Sequence, residues 1–314
     1  MPGDVDLSVE VAGLRLKNPV LPASGTFGYG HEPGALFDVS RLGAVVLKGT
    51  TLHPRPGNPP PRIVETTAGM LNSIGLENPG IDAVVSKHLP LLAGLGVPVI
   101  VNVAGDTVEE YVEVARRLDR AAGLIPAGLG LELNISCPNV DAGGLEFGRD
   151  PALAGRLVGL VRAATGLPLI VKLSPHAPDV VEMGRAVQAA GADAISLVNT
   201  MVGMAIDIWR RRPVLGGGTG GLSGPAIKPV AVAMVYELAQ QVEVPLIGMG
   251  GIATWQDAVE FILAGASAVA VGAALFANPL APLEIIDGLT EYCRAQKASS
   301  VRDLIGAALP QRGS

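Results

Sequence analysis

Short apolar runs recur along the chain, each closed by a polar residue or a glycine. They are PVLPASG (19–25), AVVLKGT (44–50), PVIVNVAG (98–105), LELNISC (131–137), LIVKLSP (169–175), AISLVNT (194–200), PLIGMGG (245–251) and AVAVGAA (268–274). Nearly unbroken apolar runs suit strands buried on both faces, as in a parallel sheet. Between most of them lie patterns of helical period with a charged face. The clearest are TVEEYVEVARRLDRAAG (107–123), DVVEMGRAVQAAGAD (179–193) and TWQDAVEFILAGAS (254–267). The last opens on a Thr N-cap and closes near a glycine. This alternation predicts an α/β fold, a (β/α)8 barrel in preference to a doubly wound open sheet. The alternating start LSVEVAGLRLKNP (7–19) predicts an N-terminal hairpin closing the barrel floor. Two connections, 51–97 and 201–244, are too long for plain crossovers and predict functional loops over the C-terminal face. No linker or shift in composition divides residues 1–314, so one barrel domain is expected.

The bulk properties narrow the function. Of 314 residues 49% are hydrophobic, ample for a core, and the 4% aromatic share leaves that core to Val, Leu, Ile and Ala. A net charge of −6 argues against a nucleic-acid partner or an anionic membrane surface. The most apolar uncharged segment, 89–105, is broken by two prolines and three glycines and reads as loop plus strand. The acidic start lacks a signal-peptide apolar region, so a cytoplasmic protein without a membrane partner is expected. Two cysteines, Cys137 and Cys293, form no CxxC pair. No disulfide framework, metal site or iron–sulfur cluster is expected within the chain.

In a barrel of this type the active site forms where strands end and loops begin. Those ends carry Ser24, Lys48, Asn102, Asn134 with Cys137, Lys172, Asn199 with Thr200, Gly250–Gly251 and Gly272. Two lysines and three asparagines at corresponding positions predict a pocket for a polar, anionic, hydrogen-bonding ligand. The glycines in GLSGPAIKP (221–229), GMGGI (248–252) and VGAAL (271–275) add a phosphate site. No GxGxxG follows the first strand, so a dinucleotide site is not indicated. Flavin mononucleotide (FMN) fits better, with Lys172 as the cation near its pyrimidine edge; pyridoxal phosphate on Lys48 or Lys172 is the competing cofactor. Cys137, flanked by Asn, Ser and Pro, is a candidate general base. Cys293, in GLTEYCRAQ, is assigned to the core.

The motifs NISCPNVDAGGLEFG, VKLSP, LVNTMVGMAIDI, GGLSGPAIKP and IGMGGI resemble those of class 1 dihydroorotate dehydrogenases. The likeness runs from NPVLPASGTFGYG to AVAVGAALFANP, nearly the whole chain, and NISCPNV with its following Gly-Gly is most similar to class 1B, the NAD-linked form. It implies FMN-dependent oxidation of dihydroorotate to orotate in pyrimidine biosynthesis, with Cys137 taking the C5 proton as a hydride leaves C6. It implies that Lys48, Asn72, Ser73, Ile74, Gly75, Leu76, Asn134, Asn199 and Thr200 hold the substrate. Ser24, Lys48, Gly49, Asn102, Asn134, Lys172 and Val198 would surround the flavin, and Gly224, Gly250, Gly251, Gly272 and Ala273 its phosphate. The resemblance also implies a homodimer bound to two electron-transfer subunits carrying FAD and a 2Fe–2S cluster. Competing readings are a class 1A enzyme reducing fumarate and a non-redox phosphate-binding barrel.

Overall fold

Val9–Val11 (β1) and Leu14–Leu16 (β2) pair antiparallel, with Val9 opposite Leu16 and Val11 opposite Leu14. The turn between them is Ala12–Gly13, both at positive φ, which matches the twist of a tight hairpin. The four apolar side chains are buried, while Glu10 and Arg15 face outward. A Cβ added at Gly130 would lie 3.0 Å from Leu14 Cδ1, so the hairpin packs beneath the start of the strand that Gly130 belongs to. The computed structural model from which this geometry comes describes residues 5–30, 36–135 and 147–310.

The further strands, in chain order, are Val20–Pro22 (β3), Val45–Thr50 (β4), Ile63–Thr66 (β5), Gly69–Asn72 (β6), Val99–Val103 (β7) and Leu129–Asn134 (β8). Leu169–Lys172 (β9), Ala194–Leu197 (β10), Met201–Gly203 (β11), Ile206–Asp207 (β12) and Arg212–Pro213 (β13) follow. Gly220–Ser223 (β14), Leu246–Met249 (β15) and Ala268–Val271 (β16) complete them. Eight of these form one parallel sheet in the order β3-β16-β15-β10-β9-β8-β7-β4. The Gly43 N–H donates to the Val20 carbonyl at 3.0 Å, bringing the two ends together as a (β/α)8 barrel. The eight apolar runs of the sequence are these eight strands. Each is buried on both faces over most of its length, and each fully buried Val, Leu or Ile contributes about 1.5–3 kcal/mol.

Helices Val108–Arg120, Val180–Ala189 and Trp255–Leu263 occupy the three clearest helical patterns. Each starts where a side chain satisfies orphan backbone donors: Thr107 accepts from Glu110 N, Asp179 from Val181 and Glu182 N, and Thr254 forms a reciprocal cap with Asp257. Among the described residues no helix is long and apolar enough to cross a membrane.

The two long connections do more than cover the barrel. They pair with each other in a four-stranded antiparallel sheet, order β11-β14-β6-β5. Asn72 lies opposite Gly221 and Leu71 opposite Leu222, 149 or more residues away along the chain. This sheet forms a lip over the C-terminal mouth.

Candidate active site

A cavity of about 400 Å³ opens at the C-terminal ends of the strands. Its position follows from the backbone. On β4 the register shifts between Leu47 and Thr50, so Lys48 and Gly49 form a bulge. A bulge redirects side chains, and both residues line the cavity. The Lys48 ammonium makes no hydrogen bond or ion pair among the described residues. Asn102 lies near the end of β7, where it pairs with Glu132; Asn134 ends β8 and pairs with Lys172 at the end of β9. The Tyr111 hydroxyl, on the helix following β7, donates to the Asn134 carbonyl at 2.8 Å and holds that strand end in place.

Lys172 is 4% exposed, and its ammonium donates to Ser24 Oγ at 3.0 Å. No carboxylate pairs with it among the described residues. A buried cation without a counter-charge is costly unless a ligand supplies acceptors. Past β10, the Asn199 Nδ2 donates to Asn134 Oδ1 at 3.4 Å, and Asn199 Oδ1 accepts from Thr200 N at 2.8 Å. The Asn72 Nδ2 donates to the Gly221 carbonyl at 3.2 Å, tying the mouth to the lip.

The segment 72–80 is braced by residues absent from the sequence inventory. Buried Asn78 donates to the Leu76 carbonyl at 2.7 Å and to Thr51 Oγ1 at 2.8 Å, while its Oδ1 accepts from Gly80 N. Asn58 N donates to the Ile74 carbonyl, and Asn58 Nδ2 to Ser73 Oγ at 2.9 Å. Leu76 sits at φ +53°, unusual for a branched side chain, with its Cδ2 over Gly49.

At the far end, Gly224, Gly250 and Gly251 converge on the same cavity as Gly272 and Ala273. Gly250 and Gly251 have φ +122° and +79°, and a Cβ on Gly251 would lie 2.8 Å from the Gly224 carbonyl. Only glycine lets these two backbone segments approach so closely. Lys228 stands beside them but is committed to Asp257 at 2.7 Å and Glu260 at 2.9 Å, which raise its pKa. For Asp257, burial pushes the carboxyl up, but hydrogen bonds from Lys228 and from the Ala253 and Thr254 N–H groups outweigh it and the net shift is downward. Anion binding in the cradle therefore falls to backbone N–H groups. A buried cation, amides on one wall and a glycine cradle fit a flat ring with a phosphate tail.

The family model for dihydroorotate dehydrogenase matches residues 6–293. The chain belongs to this family. Among its relatives are dihydroorotate dehydrogenase B (NAD(+)), catalytic subunit, of Geotalea uraniireducens, 55% identical over 98% of this chain and 99% of that one. The same-named protein of Pelobacter propionicus is 57% identical over 96% and 98%. A DHODH of Eimeria tenella, solved in complex with ferulenol, matches with a TM-score of 0.81 at 25% identity, covering 96% of this chain and 88% of that one.

Set on this dehydrogenase barrel, the expected site residues gather at one place. Ser24, Lys48, Gly49, Asn72, Ile74, Gly75, Leu76, Asn102, Asn134, Lys172, Val198, Asn199, Thr200, Gly224, Gly250, Gly251, Gly272 and Ala273 all line the cavity. Ser73 is buried in the same segment, but its hydroxyl meets Asn58 and it is not a lining residue. Cys137 lies outside the described residues. Cys293 is buried in the helix Ala281–Gln296, where burial, then Asp303, pushes its thiol pKa up. The cavity also takes Met70, Gly221 and Ser223 from the lip, Glu77 from the segment 72–80, and Phe276 beyond β16. For the lip residues the signal was cross-strand pairing between remote loops, which no local pattern carries.

Proposed function

We propose that this chain oxidises dihydroorotate to orotate in pyrimidine biosynthesis, with FMN held in the barrel mouth. The observation that carries the reading is Lys172, a buried ammonium with no carboxylate partner among the described residues, set beside Asn102 and Asn134 in a cavity that ends in a glycine cradle. Bound FMN supplies a two-electron acceptor for the hydride on C6 of the substrate. This chain supplies the rest. Lys172, positioned by Ser24, stabilises negative charge at the flavin's pyrimidine edge, and Asn102 and Val198 line that ring. Gly49 leaves room for it, while Gly224, Gly250, Gly251, Gly272 and Ala273 receive the phosphate.

Lys48 offers its charge to the substrate carboxylate, and Asn72, Asn134, Asn199 and Thr200 bond the substrate ring. Ile74, Gly75 and Leu76 cover the substrate and exclude water; Ser73 supports them from behind through Asn58. Cys137, three residues beyond Asn134 in sequence, takes the C5 proton at Sγ as the C6 hydride departs.

The naming of the relatives as catalytic subunits supports a second protein in the working enzyme. We assign to it FAD and a 2Fe–2S cluster, and to the assembly two such subunits on a homodimer of this chain, with NAD+ as final acceptor. The two cysteines here leave the cluster to that partner. The chain acts as one barrel domain over its length, a reading supported by one contiguous apolar core. A cytoplasmic location goes with an NAD+ acceptor drawn from that compartment.

The test is colour. Purified protein is expected to be yellow, and anaerobic dihydroorotate to bleach the flavin band. Protein that stays colourless after added FMN points instead to a non-redox barrel.

A further inference from the structure

Glu132 is a buried acid, 3% exposed, in β8, whose other residues before Asn134 are Leu and Gly. It stands two residues before Asn134, so both point to the barrel interior. Both of its oxygens are engaged. Glu132 Oε2 accepts from Asn102 Nδ2 at 2.6 Å, and Oε1 accepts from Ser196 Oγ at 2.7 Å. Asn102 and Ser196 are themselves buried. Glu132 does not line the cavity, but Asn102 does, and Asn102 Oδ1 lies toward Gly49 on the cavity wall.

A carboxamide has a donor end and an acceptor end of nearly the same shape, so its surroundings decide which end faces a ligand. A carboxylate only accepts. Glu132 therefore takes the NH2 of Asn102 and leaves the carbonyl for the cavity. Ser196 fixes the other carboxylate oxygen and stops the acid from turning.

We propose that Glu132 is a positioning residue: by holding Asn102 with its carbonyl toward the cavity, it makes that wall an acceptor surface that selects a ring edge bearing an N–H. This rests on the reading that the cavity holds FMN, whose pyrimidine ring carries such an imide N–H. Removing the polarity of the Glu132–Asn102 bond frees the amide to present its NH2, donor against donor.

The test swaps that polarity. In Glu132→Gln, the new amide can meet Asn102 in either orientation. In the double variant Glu132→Gln with Asn102→Asp, the introduced amide donates its NH2 to one oxygen of the introduced carboxylate, and the other oxygen is left as an acceptor for the cavity. FMN release is followed by the rise of flavin fluorescence when full-length holoprotein is diluted. The flavin potential is read by spectroelectrochemistry. Glu132→Gln is expected to release FMN at least about tenfold faster and to shift the potential, since an unmade buried hydrogen bond is costly. The double variant is expected to recover release to within about threefold of wild type. A folded Glu132→Gln with wild-type release and potential overturns the proposal. So does a folded double variant that releases FMN as fast as the single one. If Glu132→Gln does not fold, a folded double variant retaining FMN supports it and one lacking FMN overturns it. A wild-type protein that holds no FMN sinks the underlying reading instead, and is seen before any variant is made.

Discussion

Lys172 and Ser24 are 148 residues apart in the chain and 3.0 Å apart in the barrel, the ammonium Nζ donating to the hydroxyl Oγ. The contact joins the end of β9 to the turn after β3, across the mouth that the sheet encloses. The lysine is thereby held as a fixed charge, and its remaining two donors are available to a ligand. Lys172→Ala is expected to weaken FMN retention about tenfold or more, or to lower the flavin potential, because a buried charge facing a reduced ring favours the anion. Unchanged spectrum, retention and potential would remove Lys172 from the cofactor site.

Cys137→Ala separates binding from chemistry. The variant is expected to keep its yellow colour, while anaerobic flavin reduction by dihydroorotate in a stopped-flow experiment slows about 10²-fold or more, the usual contribution of a general base. Wild-type reduction would exclude the thiol as base.

The glycine cradle makes a graded prediction. Gly251→Ala places a Cβ at φ +79°, 2.7 Å from Lys228 Cβ and 2.8 Å from the Gly224 carbonyl. Strain plus collision is expected to cost about 1–3 kcal/mol and to expel FMN. Gly272→Ala meets nothing nearer than Ala23 Cβ at 3.6 Å, an ordinary contact, and its melting temperature is expected to stay near wild type. Equal losses in the two variants would contradict the geometry.

Asp257 links the cradle to acid stability. Its folded pKa is depressed, so its stabilising contribution is present above the unfolded value of about 3.9 and is lost as pH falls through the folded value. Asp257→Asn removes the charge that pairs with Lys228 and one of the two acceptor oxygens that Lys228 and the Thr254 cap share. It is expected to cost about 1 kcal/mol at pH 7 and progressively less below pH about 4. Denaturant melts of both proteins across that range check the convergence.

Asn78→Ala probes the brace behind the substrate segment. Loss of its bonds to Thr51 and Leu76 is expected to raise KM for dihydroorotate while leaving FMN retention unchanged. Steady-state kinetics and dilution fluorescence on the same preparation separate the two effects.

What the sequence made legible follows from how locally each feature is encoded. Barrel strands such as LIVK, buried on both faces, announce themselves as apolar runs, and caps such as Thr254 sit within three residues of what they bind. Strand ends carry Lys48, Asn102 and Lys172 because polarity breaks each run there. The lip was not legible: GMLN and GGLS are weak strands singly and become a sheet only through each other. Ser73 sits among cavity residues, yet a turn of the backbone hands its hydroxyl to Asn58. Glu132 is masked inside LGLELN by its apolar neighbours, although the period of two that places Asn134 inward places the acid inward as well.

The seam between β6 and β14 also sets an order of events during synthesis. In a nascent chain that has not emerged past Ser223 the rim that grips a small molecule has yet to be woven, and the wall waits for β16 to reach β3. Capture of cofactor therefore belongs to the last third of translation or later, and a fragment truncated anywhere before that third is a vessel without a mouth.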